Sequence, residues 1–128
     1  MIDYDGRRFR PVEDANATPS RVAVYHQVGD LLWGEFLGGR ARRGALTGIC
    51  APDGTLDFAY SMVTDGGDVI SGQCVSTPQV LGDGRIRLHE VWERFGRHAA
   101  RGTSAIEEIE TTERTGPDTG PDTNKGTT

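Results

Sequence analysis

The chain is poor in the residues that build metal centres and disulfide frameworks. Its two cysteines, Cys50 and Cys74, stand alone with no CxxC, and its three histidines, His26, His89 and His98, are scattered. No Cys/His spacing fits a zinc site, so no metal is expected. Positive charge is scarce as well. Fourteen Lys and Arg stand against 19 Asp and Glu, a net charge of −5, which argues against the basic face of a nucleic-acid binder. The cluster Arg40, Arg42, Arg43 reads as a solvated strand face or turn. No apolar run approaches membrane-spanning length, and Met1 leads into Ile2-Asp3-Tyr4-Asp5 rather than a basic start and an apolar stretch. Neither a membrane partner nor a signal peptide is expected, and a reduced, cytoplasmic location follows. The Asn16-Ala17-Thr18 sequon is then accidental. There is no P-loop, no dinucleotide glycine motif and no Gly-x-Ser-x-Gly elbow. Nucleotide cofactors and serine hydrolysis are therefore unsupported, and no cofactor is expected.

What the chain does have is alternation, cut at intervals by Gly/Asp turns. Thr55 to Val63 is the cleanest case: Leu56, Phe58, Tyr60 and Met62 share one face, Asp57, Ala59 and Ser61 the other. Similar strands are expected over 6–12, 21–27, 31–37, 40–51, 68–77, 84–95 and 103–110, with Pro78 ending the sixth. Gly44 and Gly48 inside the fourth predict bulges or tight bends of the kind a small barrel needs. Thr103 to Glu110 could be helical taken alone, but the surrounding strands favour another strand. No convincing amphipathic helix is present. The expected fold is all-β: an up-and-down antiparallel barrel of about eight strands, calycin- or lipocalin-like, over residues 1–110. A sandwich is the alternative, but only Glu13 to Ser20 is long enough for a crossing connection. Residues 111–128, with the tandem TGPDTGPDT and nothing apolar to bury, are expected to be a disordered tail.

The series GRRFRPV, YHQVGDLLWGEFLGGR, GALTGICAPDGTLDFAY, GQCVSTPQVLGDGRIRLHEVW and GTSAIEEIE, spanning residues 6 to 110, resembles a family of small bacterial proteins often labelled n-acetylglutamate synthase. The resemblance implies a common barrel. It does not carry acetyl transfer to this chain, which has no Gln/Arg-x-x-Gly-x-Gly/Ala loop before a helix.

The stretch GRIRLHEVWERF, Gly84 to Phe95, carries the strongest chemical signal. Ile86, Leu88, Glu90 and Trp92 share one face, so an inward-facing Glu90 would be a carboxyl in dry surroundings, suited to exchange protons near neutral pH. His89 points the other way, which rules out a His-Glu dyad on a regular strand. Tyr60 shares the apolar face of its strand, and Tyr25 and Gln27 make a polar pair if their face, rather than that of Val22, Val24 and His26, points inward. Trp33, Phe58, Met62 and Trp92 are candidates to line a cavity or to fill a core, and Cys74 is a weak nucleophile or a small pocket hydrophobe. The leading expectation is a cofactor-free isomerase, cyclase or lyase with Glu90, Tyr60 and Tyr25 as its acid–base groups. The alternative is a non-catalytic barrel binding a small apolar or aromatic molecule, and a homodimer is kept as a further kind of partner.

Overall fold

The computed structural model describes residues 2–12 and 21–109. The expected loop at 13–20, Glu110 and the 111–128 tail lie outside these residues. Among them, eight strands follow one another: β1 (Arg8–Pro11), β2 (Val22–Val28), β3 (Leu31–Gly38), β4 (Ala41–Cys50), β5 (Leu56–Thr64), β6 (Val69–Val80), β7 (Ile86–Arg94) and β8 (Ala100–Glu108). Each pairs antiparallel with the next, and β8 pairs back onto β1 through Phe9 and Glu108, so the sheet closes into a barrel. A single 3-10 turn at Gly96–His98 links β7 to β8. Among the described residues no helix is long and apolar enough to cross a membrane.

Two prolines sit inside the ladder without breaking it. The sixth strand runs past Pro78 to Val80, where the sequence predicted an end. Leu81 donates to the Arg85 carbonyl, so the alternating pattern turns the nitrogen of Pro78, paired with Leu88, away from β7. On its other side the β5 ladder has already stopped at Leu56↔Ser76. The missing N–H therefore has no bond to forfeit. Pro11 ends β1 in the same manner, paired with Ile106 of β8 and beyond the last pair with β2.

The strand glycines have a steric role. Tyr25 pairs with Gly34, Phe36 with Gly44, Phe58 with Gly48, Tyr60 with Gly72 and Trp92 with Gly102. At Gly44, Gly72 and Gly102 a side chain would collide with the aromatic ring across the ladder, and at Gly34 and Gly48 it would first meet the backbone oxygens of Val24 and Asp57. The rings lie against the wall over the glycines, much as aromatics cover glycines in other sheets. Register shifts do occur near glycines, between Phe36 and Gly38, where Gly38 takes φ +108°, and between Ala41 and Arg43 just before Gly44, while the pairing through Gly48 is regular.

The two ends of the barrel differ. At one end the segment before β1 crosses the opening. Tyr4 is fully buried, its ring 6.4 Å from Phe9 and 6.3 Å from Tyr25, and its hydroxyl donates to the Gly54 carbonyl at 2.6 Å. Arg7 forks both oxygens of Glu108 at 2.9 and 3.0 Å, and Glu108 also accepts from the Ile86 amide. Leu32, Leu56, Ile86 and Leu88 pack this end solid. Among the described residues the other end is open.

A one-ended cavity in the barrel

The inward rows are Ala23-Tyr25-Gln27 on β2, Leu32-Gly34-Phe36 on β3, Leu56-Phe58-Tyr60-Met62 on β5, Cys74-Ser76 on β6, Leu88-Glu90-Trp92-Arg94 on β7 and Gly102-Ser104-Ile106 on β8. Above the filled floor they enclose a cavity of about 330 Å³, at the small end for a ligand pocket. Phe9, Tyr25, Phe58 and Leu46 form its lower wall, and Phe36, Met62, Trp92, Arg94, Pro11 and Arg21 its upper part and mouth.

Glu90 lies at mid-depth. One carboxyl oxygen accepts from the Ser104 hydroxyl at 3.0 Å and the other lies 3.8 Å from the Cys74 thiol, which in turn sits 3.6 Å from the Ser76 hydroxyl. Ser76 and Ser104 are its direct neighbours across the ladders on either side. Burial pushes the Glu90 carboxyl above the ordinary range, and the Ser104 hydroxyl and the charge of Arg21 work against that rise. The same burial, with Glu90 nearby, pushes the Cys74 thiol up to about 12, so this cysteine is a neutral hydrophobe rather than a nucleophile at neutral pH. Tyr25 is held in its neutral form by complete burial and by Glu90. Tyr60 is raised by burial, less so because Arg94 donates to its oxygen. Arg94 lies 5.3 Å over the Trp92 ring.

Of the residues singled out from the sequence, Glu90, Tyr60, Tyr25, Phe58, Met62, Cys74 and Trp92 all line this cavity. Two do not. Trp33 faces outward and stacks on His26 with ring centroids 5.5 Å apart, because the inward slots of β3 belong to Leu32, Gly34 and Phe36. Gln27 points inward but at the closed end, where its side chain accepts from the Tyr4 amide and donates to the Gly29 carbonyl. It holds the plug instead of lining the pocket. The sequence reading passed over Ser76, Ser104, Arg94, Phe36 and Arg21. Arg94 was within reach, since it continues the Glu90–Trp92 alternation by one step, and Ser76 follows Cys74 in the same way.

A family model described as Avidin-like protein matches residues 2–109. The chain belongs to that family. The match spans the whole closed barrel, including the plugging segment, and agrees with the calycin-like architecture expected from the strand pattern. It supplies the small-barrel part of the earlier resemblance and nothing for the synthase label. No curated protein and no solved structure matches the chain.

Proposed function

We propose that this avidin-like barrel is a binding protein that encloses one small, largely apolar or aromatic molecule and performs no chemistry on it. The observation that carries the reading is the cavity itself: closed below by Tyr4, open above among the described residues, walled by aromatic rings, with the Ser104 hydroxyl and Glu90 as polar groups within it. Such a site buries the faces of a ring system and leaves a few polar groups to orient it. The competing reading, Glu90 as general acid/base with Tyr60 or Tyr25, draws less support. A catalytic base needs a lone pair turned toward substrate. Both Glu90 oxygens already have protein neighbours, Ser104 on one and Cys74 on the other. That arrangement offsets the cost of burying a carboxyl and gives it a structural reason to be there.

The test is ligand-observed NMR on the full chain with neutral one- and two-ring molecules such as indole and naphthalene methanol. The wild type is compared with Ala23→Phe, which places a ring where the cavity is lined only by a methyl group. Binding by the wild type and its loss in a folded Ala23→Phe variant are the expected results. Equal saturation transfer to both proteins would place the molecules on the outer surface and remove the basis for the reading.

A further inference from the structure

Resting on that binding reading, we propose that the molecule the cavity accepts is a small organic anion, an aromatic or apolar body with one acidic group received by Arg94 at the mouth. Three arginines of the closed end are matched: Arg7 on Glu108, Arg85 on Asp83 and Glu107, Arg87 on Glu107. Arg94 is not. Among the described residues no carboxylate lies within ion-pair distance of it, and its Nε is buried with no hydrogen-bond partner. The guanidinium is held in place over the Trp92 ring and against the Tyr60 hydroxyl, so its position is fixed before any ligand arrives.

The charge balance of the cavity points the same way. Arg94 lines it, and the one carboxyl among the described lining residues, Glu90, is taken up by Ser104 and Cys74 rather than by Arg94. The other titratable groups facing Glu90 are Cys74 on β6, Tyr25 on β2 and Tyr60 on β5, all neutral at physiological pH. A carboxylate or sulfonate brings the acceptors that a guanidinium edge takes in a fork, while its ring system lies along Trp92 and Tyr60. A neutral ligand leaves the Arg94 donor as it is, and a cation adds repulsion.

Isothermal titration calorimetry of the full chain with 2-naphthoate and its uncharged isostere 2-naphthamide tests the inference. The carboxylate should bind about tenfold tighter or better, the discrimination of a charge-assisted contact. That ratio should collapse toward one in Arg94→Gln and recover in part in Arg94→Lys. The naphthoate affinity of the wild type should also fall with added salt while that of naphthamide holds, a comparison that decides the matter even if the Arg94 variants do not fold. Equal binding of both compounds, or a salt-independent ratio, overturns the anion class and leaves small-molecule binding intact. A preference that survives in folded Arg94→Gln overturns the assignment to Arg94. Absence of binding by either compound, together with the neutral probes above, removes both readings.

Discussion

Replacing Gly102 by alanine is the sharpest test of how this barrel keeps its interior open. The backbone there is ordinary strand, so alanine meets no φ penalty. In a neutral setting the change would stabilise the fold by about 0.4–1 kcal/mol, because glycine loses more freedom on folding. The new methyl, however, would stand 2.7 Å from Cζ2 of Trp92 and 3.2 Å from Cε2 and Cη2. Ordinary carbon contacts need about 3.5–4.0 Å, so the indole must retreat from the wall by roughly 1 Å. Its retreat carries it into the cavity and away from its seat beneath Arg94. Overpacking of this size typically costs about 1–3 kcal/mol, which outweighs the entropic gain. A net loss of about 1 kcal/mol is expected, a few degrees in melting temperature, with a shift in Trp92 fluorescence. Gly82→Ala is the control, since nothing lies within 4 Å of a side chain there and its φ is not in the left-handed region. It should be neutral or stabilising. In a Trp92→Leu background the Gly102→Ala penalty should largely vanish, as a double-mutant cycle by urea denaturation would show. If Gly102→Ala proves as stable as Gly82→Ala, the glycine is not there to seat the ring.

Two other perturbations probe the floor and the buried acid. Tyr4→Phe removes the hydroxyl that satisfies the Gly54 carbonyl and should cost about 1–3 kcal/mol in urea denaturation; no change would mean that water replaces the contact and that the floor is leakier than its packing indicates. Glu90→Gln tests the dry carboxyl through pH. A carboxyl raised in the folded state contributes stability that is complete below the unfolded value of about 4.3 and is lost as pH climbs through the folded value. The variant should therefore gain on the wild type as pH rises from the acid range toward neutrality, then level off. The opposite slope in paired denaturation curves would show that Arg21 and Ser104 outweigh burial.

The strands were legible because their faces alternate and their ends carry Gly/Asp turns, and the closed meander followed from their number and short connections. Sidedness was legible only where one face was clearly apolar. On β7, Ile86, Leu88 and Trp92 against Arg87, His89 and Glu93 favoured one face, with Glu90 as the one polar residue on it. On β2 both faces read as apolar, Val22 and Val24 against Ala23 and Tyr25, and the choice fell to the core. Trp33 misled for a related reason. A large aromatic is the natural candidate for burial, but the inward position beside it is Gly34, where a side chain would stand 2.6 Å from the Val24 carbonyl oxygen and 3.3 Å from the Tyr25 ring. Gln27 was drawn to the floor by Tyr4, and a segment that returns across a barrel end has no periodic signature to announce it.

The distinction between a filled barrel and a hollow one is also written in the chain, in which residues stand opposite each other rather than in which face is apolar. At the closed end the inward positions are branched aliphatics and a ring that crosses the axis, and these pack solid. Higher up, inward aromatics face inward glycines across the ladder, so each ring lies sideways into space its neighbour does not use. Reading one strand at a time, Gly44, Gly72 and Gly102 look like defects in otherwise good strands. Paired with Phe36, Tyr60 and Trp92 they become the reason that bulky residues widen the interior instead of filling it. It follows that alanine at Gly44 or Gly102, where the colliding atoms are those of a ring, should reduce the cavity before it unfolds the barrel, with ligand affinity falling more steeply than stability, whereas at Gly72 it would also meet the Glu93 carbonyl and strain the ladder itself.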